Sequence, residues 1–204
     1  MSLFEGTRLA VLDSETTGLD PCQGHVIVEV ACVNLDGGEI GETWSTLVAP
    51  GRPIPPDAAA VHGITDAMVR DAPQPGDVAA ELHRRCAGRA MVFHNAAFDL
   101  PYLLALMRKT GQPPLLYAVI DTLGLARGLP DAGSNSLGAL ATRFGLPVER
   151  THRALGDALT TARLLGVLAS RWQERHEVHS IAELAAASQD ALRLAGRRAL
   201  RGPG

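Results

Sequence analysis

Residues Leu9 to Gly18 read L-A-V-L-D-S-E-T-T-G: four apolar residues lead directly into Asp13 and Glu15, and the chain then enters a stretch rich in turn-forming residues, Thr16 to Gly24. The apolar run predicts a short buried strand over Thr7 to Asp13, ending where the acids begin. Carboxylates at the end of a central strand stand at the rim of a sheet, where side chains from other elements converge.

Working outward, His25 to Leu35 is rich in Val and Ile and predicts a second strand. Asp36-Gly37-Gly38 supplies a tight reversal before a third strand around Glu42 to Ala49, which makes an antiparallel meander. Gly51 to Pro56 reads as a proline-punctuated loop. Asp77 to Cys86 has apolar positions at helical spacing, and Ala90 to Phe93 is a short central strand. Phe98 to Lys109 carries Leu100, Leu103, Leu104 and Met107 on one side, which predicts a helix packed on the sheet with Asp99 in its first turn. Val119 and Ile120 form a further short strand, and Ser136 to Phe144 reads as a helix capped by Ser134 or Asn135.

Ala154 to Trp172 is the longest helical pattern, with His152 just before it and Asp157 near its start. Ser180 and Glu183 fit a capping box, so a last amphipathic helix is expected from Ser180 to about Leu194. Strands that meander first and alternate with helices later indicate an α/β fold: a mixed sheet with helices on both faces. We read 1–175 as the main body of the domain and 176–204 as a C-terminal helix and basic tail of the same domain.

The chain has 204 residues, 46% of them hydrophobic and 4% aromatic. That length suits one domain with a core of Leu, Val, Ile and Ala. A formal net charge of −3 argues against holding long duplexes by broad phosphate neutralisation. It is compatible with gripping a strand end through bound cations, which reverse the sign of an acidic pocket. Cys22, Cys32 and Cys86 are odd in number and lack C-x-x-C spacing, so reduced thiols are expected rather than disulfides or a zinc site. Neither a signal segment nor an apolar run of membrane-spanning length is present, and a cytoplasmic protein is expected.

Chemistry concentrates in three motifs: D-S-E-T-T-G at Asp13 to Gly18, H-N-A-A-F-D at His94 to Asp99, and H-R-A-L-G-D at His152 to Asp157. A lone D-x-E carries little information, because surface acids pair this way often. Four acids and a histidine inside three apolar-flanked motifs carry much more. In their order and spacing they resemble the DEDD exonucleases, and the histidine five residues before the last acid resembles the DEDDh branch. The sister branch has a tyrosine four residues before that acid, where this chain has Arg153. V-H-G-I-T at Val61 to Thr65 is similar to members of the type of the epsilon proofreading subunit of bacterial DNA polymerase III.

The resemblance implies an RNase H-like fold, a mixed five-stranded sheet flanked by helices on both faces. It implies that Asp13, Glu15, Asp99 and Asp157 hold two Mg²⁺ or Mn²⁺ ions, that Glu15 is catalytic as well as a ligand, and that His152 is the general base. It further implies contacts to the terminal nucleotide from Thr16, Gly18, Leu19, Asp57, His62, Asn95 and Phe98. For Asp57 a helix cap is an equal alternative, for His62 packing within its loop, and for Phe98 a place in the core. His94 reads as a satisfied core histidine, Asp121 and Asp131 as turns or caps, and His176 and His179 as solvent-facing.

The expected activity is 3′→5′ removal of 5′-mononucleotides from a DNA end, single-stranded or frayed, alone or with a DNA polymerase or repair assembly. Trimming of RNA is the alternative closest in chemistry. A catalytically silent binding module is an alternative of another class, and retention of all four acids and the histidine speaks against it.

Overall fold

The computed structural model describes residues 3–130, 133–147 and 152–201, the last seven by backbone alone. Asp131 and the side chains of the arginines beyond Arg193 lie outside the described residues. Five strands form one sheet: β1 (Arg8–Thr16), β2 (Ile27–Asp36), β3 (Glu39–Leu47), β4 (Ala90–Phe93) and β5 (Val119–Asp121). Their order is β3-β2-β1-β4-β5. The first three are antiparallel neighbours, whereas β4 and β5 run parallel to β1. This is the mixed five-stranded sheet expected.

Strand alternation sorts the core into two layers. Leu9 and Val11 of β1, with Ala31, Val33 and Leu35 of β2, face a core built with Leu125, Leu140, Leu165 and Leu168. Ala10 and Leu12 of β1, with Val30 and Cys32 of β2, face the opposite core with Val78, Leu82, Leu103 and Met107. The first layer is covered by α5 (Thr122–Gly128), α6 (Leu137–Arg143), α7 (Ala154–His176) and α8 (Ile181–Arg201). The second is covered by α3 (Pro75–Cys86) and α4 (Ala96–Thr110). Two short helices, α1 (Pro56–His62) and α2 (Asp66–Val69), close a small cluster over Val28, Ile54 and Ile64.

Two expectations are corrected. The acids do not follow the first strand but lie within it: β1 runs on to Thr16, because Asp13 pairs with Ala31, Ser14 with Val30 and Glu15 with Glu29 across the antiparallel ladder. Polar residues that read as a turn are kept extended by their neighbour. Further, Ser136 stands at the cap of α6 without a side-chain capping bond, while Ser134 Oγ accepts from Ser136 N. Two helices escaped the sequence reading, α2 and α5, and α1 was anticipated only through the alternative of a helix cap at Asp57. Among the described residues no helix is long and apolar enough to cross a membrane.

Ser180 Oγ accepts from Glu183 N at 3.2 Å, one half of the expected capping box. The carboxylate of Glu183 reaches back one residue further, to His179 N at 2.7 Å. The helix that follows packs against α5 and β5. Ser188 Oγ there accepts the amide of Asp121 at 3.1 Å.

Candidate active site

The parity that builds the core also builds the site. Asp13 and Glu15 share the face of Leu9 and Val11, so they point toward α7, which carries Asp157 in its first turn. One carboxylate oxygen each from Asp13, Glu15 and Asp157 can be chosen so that all three lie within 4.8 Å of one another. Ser14 alternates to the other face, where α4 brings Asp99, and Ser14 Oγ donates to Asp99 Oδ1 at 2.6 Å. The fourth acid therefore arrives from the opposite side of the sheet, held through the residue between the first two.

Charge repulsion marks this cluster. Burial, then the neighbouring Asp99, Asp157, Glu15 and Glu29, push the Asp13 carboxyl well above the usual range. Burial, then Asp157, Glu29 and Asp99, raise Glu15 to about 8, with Arg153 pulling the other way. Asp99 rises to about 7, chiefly by burial, against hydrogen bonds from Ser14. Asp157 is raised by burial and partly relieved by the amide of His152. A set of hard oxygen donors that retains protons for lack of positive charge has the chemistry of a divalent-cation site.

His152 is exposed at the entry to α7, with its backbone in the left-handed region at φ 56° and its amide donating to Asp157 Oδ2 at 3.1 Å. A non-glycine residue there costs about 1–3 kcal/mol and persists only where its surroundings fix it. Its neighbour supplies that fixing. Arg153 donates to Glu29 from Nε at 3.0 and 3.2 Å and from Nη2 at 2.6 Å, and Ala154 N also donates to Glu29, at 3.0 Å. Glu29 is buried in β2 directly across from Glu15.

Asp121 plays the same part for α4. Its carboxylate caps α5 by accepting from Leu123 N at 2.9 Å and Gly124 N at 3.4 Å. It also accepts from Asn95 N at 3.0 Å and Ala96 N at 2.9 Å, at the start of the helix that carries Asp99. It is a cap, as read, and also a brace between two parallel strands. His94 is satisfied, as expected, but stands half-buried in the cleft wall rather than in the core: Nδ1 pairs with Thr122 Oγ1 at 2.8 Å and Nε2 with Asn135 O at 3.1 Å.

The residues expected near a terminal nucleotide fall into two groups. Leu19, 86% exposed, projects an apolar side chain into solvent beyond β1. Asn95 is exposed, with its backbone at φ 75° and no capping bond from its side chain. Phe98 is half-buried against Tyr102, ring centroids 5.5 Å apart. These three retain surface to offer.

The remaining candidates are engaged within the protein. Thr16 is buried, and its hydroxyl donates to Gly18 O at 2.6 Å, as does Tyr102 OH at 2.6 Å. A Cβ on Gly18 would run into the His25 imidazole, so the glycine serves a close internal contact. His62 is buried; Ile64 N donates to its Nδ1 at 3.0 Å, so Nε2 carries the proton directed at Thr16 O, 3.3 Å away. Asp57 is exposed in the first turn of α1, where its carboxylate accepts from Ala58 N; the cap position itself is Pro55.

Sequence reasoning passed over Ser14, Glu29, Tyr102 and the bracing role of Asp121. Glu29 left a legible signal: an ionisable residue inside the apolar run Ile27 to Val33 requires a buried partner. The identity of that partner, 124 positions away, left none.

A cleft of about 610 Å³ opens beside the acids, lined among others by Asp13, His94, Asn95, Arg127, His152 and Asp157. Comparison with known proteins accords with this geometry. The RNase T family, described as Exonuclease, matches residues 10–165. A DNA polymerase III subunit epsilon-like protein of Rhodobacter capsulatus is 43% identical over 175 residues, covering 79% of this chain and 24% of that protein. A DNA polymerase III PolC-type protein of Streptococcus mutans is 34% identical over 185 residues, 90% of this chain and 12% of its own length.

The chain thus spans from about an eighth to a quarter of these relatives. Among solved structures, Exonuclease X in complex with 5′ overhanging duplex DNA superposes with a TM-score of 0.69 at 33% identity, covering 87% of this chain and 99% of that one. An E. coli exonuclease I complex with single-stranded DNA gives 0.74 at 19% identity over 84% of this chain and 42% of that one, a likeness of fold. The chain belongs to the exonuclease family, as a DEDD-type 3′–5′ exonuclease domain with the RNase H-like sheet.

Proposed function

We propose that this domain removes 5′-mononucleotides from the 3′ end of DNA, single-stranded, frayed or recessed beside a 5′ overhang. The observation that carries the proposal is the convergence of Asp13, Glu15 and Asp157 within 4.8 Å, with Asp99 joined to them through Ser14. A structural relative bound to 5′-overhanging duplex DNA and relatives named for DNA polymerase III support DNA over RNA. They also support work beside a polymerase or repair assembly.

Asp13, Glu15, Asp99 and Asp157 would hold two Mg²⁺ or Mn²⁺ ions, whose all-oxygen preference the carboxylates meet. When bound, such ions activate water and stabilise charge on the leaving 3′ oxygen. His152, at the mouth of the cleft, accepts the proton of the attacking water, imidazole being suited to that transfer near neutral pH. Asp157 keeps His152 in place by accepting its backbone amide, so one carboxylate would both hold a cation and position the base. The exposed Leu19, with Phe98 and Asn95, would receive the terminal nucleoside, while His62 and Tyr102 hold the Thr16 to Gly18 segment that carries Leu19.

A DNA single strand labelled at its 3′-terminal nucleotide tests this. Labelled 5′-mononucleotide should appear on addition of Mg²⁺ and be absent with chelator, and a matched RNA should be degraded more slowly. Internal cleavage, or release that persists in chelator, overturns the reading.

A further inference from the structure

We propose that Arg127, on the α5 wall of the cleft, binds a backbone phosphate of the strand upstream of the nucleotide being removed. The inference rests on the exonuclease reading above and extends it to a second binding position. Among the described residues that line the cleft, Arg127 is the sole arginine or lysine, and it shares that lining with Asp13, Asp157 and His152. It is exposed, no hydrogen bond or ion pair engages its guanidinium among the described residues, and its charge acts on His94 across the cleft.

The backbone of α5 is fixed from three sides. Asp121 caps it, Trp172 Nε1 of α7 donates to Leu125 O at 3.0 Å, and Gly124 and Gly128 lie so close to α8 and α7 that a Cβ would overlap the Ser188 carbonyl or the Trp172 ring. With Gly124, Leu125 and Ala126 buried, the face left to the cleft is Leu123 and Arg127, one helical turn apart. A rigid helix thus presents one guanidinium to a cavity otherwise walled by acids and neutral groups.

The position of this wall sets the ligand. Thr16 to Leu19 continue β1 beyond Glu15 on the β2 side of the sheet, with Thr16 paired to Ile27 and Thr17 N donating to Val26 O at 2.9 Å. The wall of α5 lies past β4, on the other side in the strand order. If the terminal nucleoside meets Leu19, the chain continuing past the scissile bond leaves along α5. Its next phosphate there would lie beyond the carboxylate cluster, and a planar guanidinium is suited to bind it through two parallel hydrogen bonds.

The test compares the unmodified chain with Arg127→Ala and Arg127→Lys on two substrates, a thymidine decamer and the p-nitrophenyl ester of thymidine 5′-monophosphate, which has no upstream phosphate. The loss of kcat/KM in Arg127→Ala should be about ten-fold greater on the decamer than on the ester, carried by KM, with Arg127→Lys intermediate. Decamer binding in Ca²⁺ buffer, followed by fluorescence anisotropy across salt concentrations, should lose about 0.7 from the slope of log affinity against log salt, the signature of one phosphate contact on a single strand. Equal losses on both substrates, or an unchanged slope, overturn the proposal. Failure of the unmodified chain to hydrolyse either substrate with Mg²⁺ or Mn²⁺ would instead reject the exonuclease reading, and the salt slope would still decide whether Arg127 holds a phosphate.

Discussion

Glu29 in β2 and Arg153 at the entry to α7 meet 124 positions apart, with Arg153 Nη2 2.6 Å from Glu29 Oε1. The side chain of Glu29 is 5% exposed and that of Arg153 27%. Removing the arginine would strand a buried carboxylate across from Glu15, inside a cluster already too negative. Breaking a buried pair from one side costs about 3–5 kcal/mol, and the partial exposure of Arg153 favours the lower end. Arg153→Ala should therefore reduce unfolding free energy in urea by about 3 kcal/mol. It should also release His152 from its left-handed conformation and lower kcat. A variant that unfolds like the parent chain would show that the pair carries no net stability.

The acidic cluster sets the pH dependence of the metal-free protein. Glu15 titrates at about 8 and Asp99 at about 7 in the folded chain, against ordinary values of 4.5 and 3.8. Because these pKa values are raised, the folded state binds more protons than the unfolded one between roughly pH 4 and 8. The contribution of these groups to stability is complete below about pH 4 and is lost as pH rises through 7 to 8. With chelator present, the thermal midpoint should fall across that interval. Millimolar Mg²⁺ or Mn²⁺ should restore most of the loss at pH 8, because cations that bind only the folded state stabilise it by mass action. Equal midpoints with and without metal at pH 8 would contradict the cation site.

Magnitudes rank the catalytic groups. General base catalysis contributes about 10²–10⁴-fold, whereas enzymes commonly need accelerations of about 10⁶–10¹⁷-fold. His152→Ala should lower kcat within the first range at saturating Mg²⁺. Asp13→Ala and Asp99→Ala should each lower it further, since each would remove a proposed cation ligand, and Asp99→Ala also removes the bond from Ser14. Equal residual rates in all three variants, measured by single-turnover release of the 3′ nucleotide, would overturn this ranking.

What could be read from the sequence was the part governed by local periodicity. Leu9 to Leu12 specified a strand buried on both faces, and the helical spacing of Leu100 to Met107 and Leu155 to Leu168 specified two of its covers, although the first turns a different face to the core: Leu104 is 45% exposed, whereas Tyr102 and Leu106 are buried. The extension of β1 through Ser14, Glu15 and Thr16 was hidden, because those residues resemble a turn and are held extended by pairing with β2. Helix α5, T-L-G-L-A-R-G, was hidden because two glycines in seven residues oppose a helix. It forms through the Asp121 cap and through contacts from α7 and α8 that no local pattern announces. The acids of the site were legible as residue types, whereas the braces that aim them, Ser14, Glu29 and Asp121, depend on distant partners.

Gly124 offers a test of that tertiary control. A methyl group at this position would overlap the Ser188 carbonyl of α8, and backbone cannot swing aside as a side chain can. In an isolated peptide, Gly→Ala would favour the helix by roughly 1 kcal/mol. In the folded protein the steric cost should dominate, displacing α8 and weakening the bond from Asp121 N to Ser188 Oγ. Gly124→Ala should destabilise the chain by about 1–3 kcal/mol in urea unfolding, and amide hydrogen exchange should accelerate first at Asp121 and along α8. Since Asp121 also holds the amides that begin α4, kcat should fall as well, and by less than in Asp99→Ala. A stabilised variant would mean that intrinsic helix preference outweighs the α5–α8 contact, and that α8 is not needed to hold the Asp99 helix in place.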